Sequence, residues 1–389
     1  MRHINESRAV QELFRRGPMS RADLGRRLSL TRSTAGSIVL QLAEKGMVRE
    51  GAVEGPAASR TGRPGVQVSL RGDYAYFLGA EIGVEKLTTL ALDFAGRTVW
   101  KESYRYDEGT GPEAALRLLQ RAIAAFRGVV GAGAGIEGVC VTVPGLLWLS
   151  GEVFSTPILG WTSVDLRALF AAGLPDVAEI VVENDANAFA MAESYLTAGS
   201  GGSAVYVFMD SGVGGGLVAD GRLIRGQNGF AGEIGHMPIG EHGYAPGSAV
   251  PGSFESYVGK DALLGRIRHH GGAAAGLPEL IARFGAGDAA ARATVADWTR
   301  WLGRGLAALV AALDPGRIVL GGECAALAAL CLPDIRAQIA PLLLKGRPMP
   351  TVEITAFGAE AVPLGAACIL HGDFLSIDPY FVFGATGAA

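Results

Sequence analysis

Apolar residues recur every three or four positions in three segments of the first 45 residues, which is the spacing of amphipathic helices. The segments are Asn5–Arg16, a helix that starts after the N-cap candidate Ser20, and Thr31–Lys45. Two short apolar runs, Met47–Arg49 and Val66–Leu70, then predict strands around a polar loop. Helix, helix, turn, helix and hairpin is the order of a winged helix-turn-helix, so the pattern predicts a DNA-binding head.

From about Asp73 the pattern changes to apolar runs of strand length that alternate with helical segments. The strand candidates are Tyr76–Ile82, Leu87–Asp93, Ile136–Val143, Ile180–Val182, Ala204–Met209 and Arg317–Leu320. The helix candidates are Gly111–Arg127, a segment that runs through Tyr195, and Thr294–Leu313. This alternation predicts an α/β fold, with a weak repeat of hairpin, helix and strand in its two halves. The run Gly212–Gly216 is predicted as a Gly-rich loop that closes the strand before it.

The composition and charge distinguish this head from the rest of the chain. Of the 389 residues, 49% are apolar and 19% are charged, which excludes wholesale disorder and a coiled coil. The net charge of −4 is uneven, because residues 1–71 hold 13 Lys/Arg against 6 Asp/Glu and the remaining residues hold 21 against 32. A basic head on an acidic body predicts that only the head meets a polyanion.

The cysteines and the N-terminus bear on the compartment. The four cysteines are scattered without a Cys-x-x-Cys pair, which predicts buried, reduced thiols in a cytoplasmic protein. His3, Asn5 and Glu6 stand where a signal peptide needs an apolar run. Uncharged apolar stretches stay below the roughly 18 residues that a membrane span needs, so we expect no membrane partner.

Polar and basic side chains of the head are placed for contact with DNA. The third helix would present them at its start, where such helices enter the major groove. An arginine of the second helix would hold a phosphate, and two arginines of the polar loop would reach a minor groove. The residues predicted to contact DNA are Arg21, Arg32, Ser33, Thr34, Ser37, Arg60 and Arg63. A small helical cap with a solvated basic face would show the same pattern, and that alternative stays open.

Five strings of the body resemble the ROK family of repressors, open reading frames and sugar kinases. They are Glu183–Ala188, Gly212–Gly216, Gly229–His236, Leu320–Gly322 and Pro363–Ala367, and the head adds Ser20–Leu24 and Gly62–Pro64. The resemblance implies a winged helix-turn-helix on a two-lobed, actin-like (ribonuclease-H-like) ATPase-fold body that binds a sugar. It implies a head over residues 1–72, a small lobe over 73–198 with segment 366–389 as a candidate addition, and a large lobe over 199–365.

The resemblance also implies a sugar site. In the family, an Asn-Asp pair, the Glu and His of a Glu-Ile-Gly-His string and one further Glu contact the sugar. The matching residues are Asn184, Asp185, Glu233, His236 and Glu255. Carboxylate, amide and imidazole groups suit this task because sugar hydroxyls both donate and accept hydrogen bonds. In family kinases the Asp is also the catalytic base, which would be Asp185 here. Taken alone, Asp185 could equally be a helix N-cap.

This sequence departs from the family at the zinc site, which joins the same His to three cysteines. The aligned residues here are Pro246, Ser248 and Ser253, and none is a cysteine. Zinc needs three or four strong nitrogen or sulfur ligands, and the nearby His242 does not replace three thiolates. We therefore expect no metal and no cofactor.

A second departure lies in the hairpin turn that cradles ATP phosphates in family kinases. The kinases carry Asp-x-Gly-Gly-Thr, and Glu81–Lys86 has Val84 and Glu85 in place of the second Gly and the Thr. A β-branched side chain blocks close backbone approach, and a carboxylate repels phosphate. These two differences in the turn predict that the protein is not an enzyme. Ile158 stands where family kinases often have Asn, which favours a sugar other than glucose.

These features predict a sugar-responsive DNA-binding transcriptional regulator, a repressor of carbohydrate-metabolism genes that a sugar effector releases. The expected partners are a double-stranded DNA operator and a small sugar or sugar phosphate, bound by a homodimer or homotetramer. One alternative is an ATP-dependent sugar kinase with an added DNA-binding head. Another is a constitutive DNA-binding protein whose sugar pocket is vestigial.

Overall fold

The head consists of helices packed beside a small sheet. In the computed structural model, which describes residues 2–51, 66–106, 111–197, 202–245 and 250–376, its elements are α1 Arg2–Arg16, β1 Met19–Ser20, α2 Arg21–Leu28, α3 Arg32–Glu44, β2 Val48–Gly51 and β3 Gln67–Leu70. The strands pair antiparallel in the order β1-β3-β2. This confirms the predicted winged helix-turn-helix. The pattern of the sequence does not reveal β1, because a strand of 2 residues has no periodicity.

Side-chain caps start both helices of the helix-turn-helix. Ser20 Oγ accepts a hydrogen bond from the backbone N–H of Asp23 at 3.1 Å, and Thr31 Oγ1 accepts from Thr34 at 3.2 Å. The turn between α2 and α3 passes through Ser29 in the left-handed conformation, at φ 57°. Each cap satisfies a backbone donor that has no partner inside its helix. The start of α3 is therefore set by local chemistry.

A 5-stranded sheet and its helices form the first part of the body. The elements are β4 Tyr76–Ile82, β5 Lys86–Asp93, β6 Thr98–Arg105, α4 Pro112–Val130, β7 Ile136–Val143, β8 Leu146–Leu147, β9 Val153–Thr156, β10 Trp161–Val164, α5 Leu166–Gly173, β11 Ile180–Asn184 and α6 Asp185–Leu196. The sheet order is β11-β7-β4-β5-β6, and β8, β9 and β10 form a separate small sheet. Strands β4, β5 and β6 run antiparallel, whereas β7 and β11 continue the sheet parallel to β4.

The second part of the body repeats this plan. Its elements are β12 Ser203–Met209, β13 Val213–Ala219, β14 Arg222–Leu223, α7 Phe254–Val258, α8 Lys260–His269, α9 Leu277–Gly285, α10 Ala289–Leu313, β15 Arg317–Gly321, α11 Ala325–Leu330, α12 Leu332–Ile339, β16 Thr351–Ile354 and α13 Ala361–Leu375. The sheet order β14-β13-β12-β15-β16 again joins an antiparallel meander to two parallel strands. The repeated arrangement confirms the predicted two-lobed α/β body.

The prediction of a Gly-rich loop at Gly212–Gly216 is wrong, because most of the run lies inside β13. A Cβ on Gly216 would come within 2.2 Å of Ala190 Cβ in α6. Glycine therefore lets the strand lie directly against this helix. The turn itself is shorter and comes earlier, where the N–H of Asp210 donates to the Gly212 carbonyl at 2.9 Å.

Two helices lie between the two large sheets. Helix α6 packs on β12 and β13, helix α13 packs on β4, β5 and β7, and the two helices pack on each other. Their backbones come very close, because a Cβ on Gly365 of α13 would lie 1.7 Å from the carbonyl oxygen of Ala188 in α6. The C-terminal helix thus packs on the sheet of the small lobe, while the proposed domain boundaries stay predictions.

The cysteine residues are buried and unpaired, as the sequence predicts. Trp161 is buried in the core of the small lobe. In the part of the chain that the structure describes, helices fall short of the combined length and apolar character that a membrane crossing requires.

Candidate functional site

The predicted site residues Asn184 and Asp185 lie where β11 passes into α6. The Asn184 carboxamide accepts from the Asn187 N–H at 3.0 Å and donates to the Gly145 carbonyl at 3.0 Å. Asn184 is therefore the N-cap of α6, and the alternative that made Asp185 the N-cap is wrong. One carboxylate oxygen of Asp185 accepts from the N–H of Ala186 at 2.8 Å. That bond leaves the other oxygen of Asp185 for a ligand.

Carboxylates from both halves of the body meet beside Asp185. Glu81 comes from the end of β4, Asp210 follows β12, and Glu233 lies in the loop after β14. Asp185 lies close enough to Glu81, Asp210 and Glu233 for their charges to act on one another. We call the space that these four carboxylates border the cleft.

Burial makes the carboxyl groups of the cleft hard to ionise. It is the main reason that the pKa of Asp185 rises to about 7, and the charges of Asp210 and Glu233 add to this rise. Burial likewise raises the pKa of Glu81 to about 8, with Asp185 and Asp210 adding to it. A carboxyl group with a pKa near neutrality can donate or accept a hydrogen bond, so either form can pair with a hydroxyl.

Sequence reasoning missed Asp210, although the internal repeat contains a signal for it. Glu81 and Asp210 stand at the end of the first strand of their respective halves. Each is followed two positions later by a glycine of the hairpin turn, Gly83 or Gly212. Lys260 Nζ lies 3.5 Å from Asp210 Oδ1, which ties the carboxylate to α8. An alignment of the two halves would have placed Asp210 opposite Glu81.

Glycines position the loop that carries Glu233 and His236. Gly232 has φ +97°, and a Cβ there would lie 2.1 Å from the carbonyl oxygen of Gly215 in β13. A Cβ on Gly235 would meet the backbone of the same strand at 2.0 Å. Only glycine allows a loop to lie this close to a strand. The loop places His236 Nε2 3.8 Å from Glu233 Oε2, with 53% of the His236 side chain exposed.

Glu255 reaches the cleft from α7. Ser253 caps this helix by accepting from the Ser256 N–H at 3.3 Å. Glu255 Oε2 accepts from the Val213 N–H at 2.7 Å, at the start of β13. The pKa of Glu233 is raised mainly by burial and further by the charge of Glu255. The structure thus brings the predicted sugar-binding residues together around one cleft, and their contact with a sugar stays a prediction.

Ile158 borders the same side of the cleft as Glu255. A Cβ on Gly212 would lie 3.0 Å from Glu255 Oε2 and 3.8 Å from Ile158 Cδ1. The Ile158 side chain is 44% exposed. An aliphatic group here offers van der Waals contact but no hydrogen bond to a hydroxyl.

The start of α3 is exposed, as a recognition helix requires. The exposed residues include Arg32, Ser33, Thr34 and Ser37. Arg21 is exposed as well, but its guanidinium forms two hydrogen bonds of 2.5 Å with the Glu50 carboxylate of β2, which raise the Arg21 pKa. Arg21 therefore links α2 to β2 of the β2–β3 hairpin, the wing, in the free protein. The predicted minor-groove residues Arg60 and Arg63 lie outside the described residues.

The family follows from a comparison with protein-family models. The model described as the ROK family matches residues 77–373, which span both sheets of the body. The chain belongs to the ROK family.

Similarity to other ROK proteins differs between head and body. The xylose repressor of Bacillus spizizenii is 25% identical over 381 residues, which cover 97% of each chain. The glucokinase of Streptomyces coelicolor is 28% identical over 315 residues, which cover 96% of that enzyme but 75% of this chain. A crystal structure described as a ROK family transcriptional regulator, a homolog of the E. coli MLC protein, shares the fold over 96% of this chain and 98% of its own, with a TM-score of 0.78 and 24% identity. The similarity to the repressor therefore includes the head.

The residues present do not fit the zinc site expected of a ROK protein. The Ser253 hydroxyl caps α7, and Pro246 and Ser248 lie outside the described residues. His236 has the Glu233 carboxylate as its ion-pair neighbour. Within the described ranges, His, Cys, Asp and Glu side chains do not form a group of three that could hold a metal ion. The lack of a bound metal stays a prediction.

The turn aligned with the kinase phosphate loop exposes an apolar and an acidic side chain. The N–H of Gly83 donates to the Lys86 carbonyl at 3.0 Å, which closes the turn. Val84 is 50% exposed. Glu85 Oε2 lies 3.3 Å from Arg105 Nη1, and both side chains are largely exposed. The turn thus exposes Val84 and a Glu85 carboxylate paired with Arg105, and its inability to hold a phosphate stays a prediction.

Proposed function

We propose that this ROK protein is a sugar-responsive, DNA-binding transcriptional repressor of carbohydrate-metabolism genes. The observation that carries the proposal is the presence, in one chain, of an exposed α3 and a cleft lined by carboxyl groups with raised pKa values. Burying such groups together costs stability, so their presence argues for a ligand. Proteins named xylose repressors are similar to this chain over 97–98% of its length.

The head would bind DNA through α3. A homodimer would place one α3 in each of two adjacent major grooves, roughly 34 Å apart, on a pseudo-palindromic operator. The wing arginines Arg60 and Arg63 would reach the flanking minor grooves. Arg21 would meet a phosphate by exchanging its Glu50 partner. A homotetramer would use the same head with a second pair of half-sites.

The cleft would bind a sugar through the predicted set of polar residues, which are Asn184, Asp185, Glu233, His236 and Glu255. Their carboxylate, amide and imidazole groups match both roles of a hydroxyl as hydrogen-bond donor and acceptor. Because relatives are named xylose repressors, D-xylose is the first sugar to test. A sugar that binds one form of the protein more tightly than the other would change its affinity for DNA.

The decisive experiment is fluorescence anisotropy with labelled DNA from upstream of the protein's own gene, at one fixed salt concentration. The titration is repeated with D-xylose, other free sugars and sugar phosphates. Release of the DNA by one sugar supports the repressor and identifies its effector. Tight DNA binding that no sugar alters contradicts sugar control and favours a constitutive DNA-binding protein with a vestigial pocket. A calorimetric titration that detects no sugar binding would support that alternative. Absence of specific DNA binding contradicts the repressor.

We also propose that the protein works without zinc. A chelator such as EDTA should then leave both the melting temperature and the DNA affinity unchanged, because Ser253 stands where a thiolate would be needed. The measurement is a thermal melt before and after dialysis against the chelator. A lower melting temperature after dialysis would show that a metal ion contributes to folding.

A second candidate is an ATP-dependent sugar kinase. It is favoured by Asp185, because a carboxyl group with a pKa of about 7 is suited to accept a proton from an attacking hydroxyl. The exposed Val84 and the carboxylate of Glu85 in the phosphate turn oppose it. An assay of ATP consumption with the same sugar panel separates the two functions. Sugar-dependent turnover would favour the kinase, and none is expected.

A further inference from the structure

The head and the body share one apolar interior. Val10 and Leu13 of α1 belong to the same buried cluster as Phe77 of β4 and Ala188 of α6. Only residues 71–75 separate the last strand of the head from the first strand of the body. The head therefore cannot change its orientation without changing its contacts with the body.

Phe14 of α1 contacts aromatic side chains of the body. Its ring stacks on Tyr195 with centroids 5.3 Å apart and planes inclined by 23°, and its centroid lies 4.8 Å from that of His371. Gly96 closes a third side, because a Cβ there would lie 2.4 Å from the Phe14 ring. We call Tyr195, His371 and Gly96 the Phe14 socket.

Hydrogen bonds fix the geometry of the socket. His371 Nε2 lies 3.2 Å from the Phe94 carbonyl oxygen, which can only accept, so Nε2 carries the proton. His371 Nδ1 then accepts from the Tyr195 hydroxyl at 2.8 Å. Burial lowers the pKa of His371 to about 4, which keeps this pattern at neutral pH. The socket thus pairs the buried His371 with the partly buried Tyr195 by a hydrogen bond, and both rings lie against the ring of Phe14.

The socket and the cleft lie at opposite ends of α6. The helix begins at Asp185, which borders the cleft, and Tyr195 lies in its last turn. A helix of this length is a rigid rod of about 18 Å. Helix α13, which carries His371, packs along α6. The Gln11 side chain of α1 also donates to the Leu375 carbonyl at the end of α13, at 2.7 Å.

We propose that Phe14 couples the cleft to the DNA-binding head through α6. The proposal rests on the proposed function, namely that a sugar binds in the cleft beside Asp185. A ligand that pulls on the start of α6 shifts the helix against α13 and so displaces Tyr195 relative to His371. Phe14 follows the socket and moves α1, which packs on α2 and α3. Phe14 is a positioning residue, because it acts through the contact between head and body and touches neither the sugar nor the DNA.

The test is Phe14→Ala, compared with the wild-type full-length protein and with Phe284→Ala. Phe284 is a matched control because it is also partly buried, but it lies on α9, which packs on α8 and α10 of the body. For each protein, anisotropy gives the DNA affinity with and without the sugar that releases DNA from the wild type, with D-xylose tried first. Calorimetry gives the sugar affinity.

Phe14→Ala should bind operator and sugar with nearly wild-type affinity but lose the connection between them. The weakening of DNA binding by sugar, roughly 5- to 150-fold for typical allosteric coupling, should fall to within about twofold. Phe284→Ala should keep the wild-type ratio. A merely structural role for Phe14 would leave this ratio unchanged, and that result overturns the coupling while the proposed function stands. A wild type that ignores every sugar would instead contradict the proposed function itself.

Hydrogen exchange on the wild type provides a test that does not depend on the folding of a variant. Saturating sugar should change amide protection at residues 11–17 of the head and 193–197 at the end of α6, as well as at the cleft. Protection that changes at the cleft but at neither of these segments overturns the coupling.

Discussion

At the residue scale, the cleft brings together several carboxyl groups that resist ionisation. Asp185 has a pKa of about 7 in the folded protein, whereas an aspartate in an unfolded chain titrates near 4. Between these values the folded state holds a proton that the unfolded state has lost. The contribution of Asp185 to stability therefore falls as the pH rises from about 4 to about 7, and it is constant above that range.

The substitution Asp185→Asn should show separately how ionisation of Asp185 affects stability and how Asp185 contributes to sugar binding. The amide keeps the shape and can accept from the Ala186 N–H, but it does not ionise. The difference in melting temperature between variant and wild type should grow from pH 4 to pH 7 and then level off. Sugar affinity should fall about tenfold or more, because a charged acceptor is lost. Thermal melts at several pH values and calorimetry measure both effects.

Glu241→Gln is the control for this prediction, since 90% of the Glu241 side chain is exposed. Glu241→Gln removes one carboxylate outside the cleft and so measures the general effect of losing a negative charge. If the difference for Asp185→Asn changed with pH no more than that for Glu241→Gln, burial would not be acting on Asp185.

The residues of the cleft could be named from the sequence only where they stand in recognisable strings. Glu233 and His236 share one such string, and its glycines Gly232 and Gly235 are the positions where the loop touches β13. Asp210 and the pairing of Arg21 with Glu50 were not found. Both depend on which distant segments the fold brings together, and a short string carries no information about that.

At the element scale, the contact between β13 and α6 joins the two halves of the body at close range. Gly216→Ala should destabilise the protein by about 1–3 kcal/mol, because the added methyl group would lie 2.2 Å from Ala190 Cβ. Urea unfolding measures the change. Gly128→Ala in α4 is the control, since a Cβ there meets nothing within 4 Å. It should stabilise by up to about 1 kcal/mol, as alanine favours a helix. If the free energy of unfolding of Gly216→Ala equalled that of the wild type, β13 and α6 would be able to move apart easily.

Helix α3 is the element that should read the operator. Arg32→Ala should weaken DNA binding by about 1–3 kcal/mol, because Arg32 lies at the exposed start of the helix. Anisotropy at fixed salt measures this, and Arg268→Ala, which removes an exposed arginine of α8, is the control that should bind DNA normally. If Arg32→Ala bound the operator as tightly as the wild type, recognition would lie in another element.

Helices were easier to predict from the sequence than strands. Amphipathic periodicity and caps predict α1 and α3 to within a few residues. Strands β8, β9 and β10 are too short to show a period, and β13 contains glycines that indicate a loop unless the packing partner is known. The missing information in both cases is tertiary contact.

At the scale of the whole molecule, the internal repeat determines where the cleft lies. The same strand order in both halves brings the ends of β4 and β12 together, each with its carboxylate. Alternation of strands and helices was enough to predict an α/β body and a separate head. It did not predict that the head and the body share one apolar cluster, since that depends on how α1 docks.

The proposed function requires that operator and sugar bind the same molecule and oppose each other. Thermodynamic linkage requires that a sugar which weakens DNA binding is itself bound more weakly, by the same factor, when DNA is present. The most direct measurement is therefore the sugar Kd by calorimetry, for the free protein and for the protein saturated with operator DNA. The sugar Kd should be higher in the complex, by the factor that anisotropy gives for DNA release. Equal sugar Kd values with and without operator would contradict it.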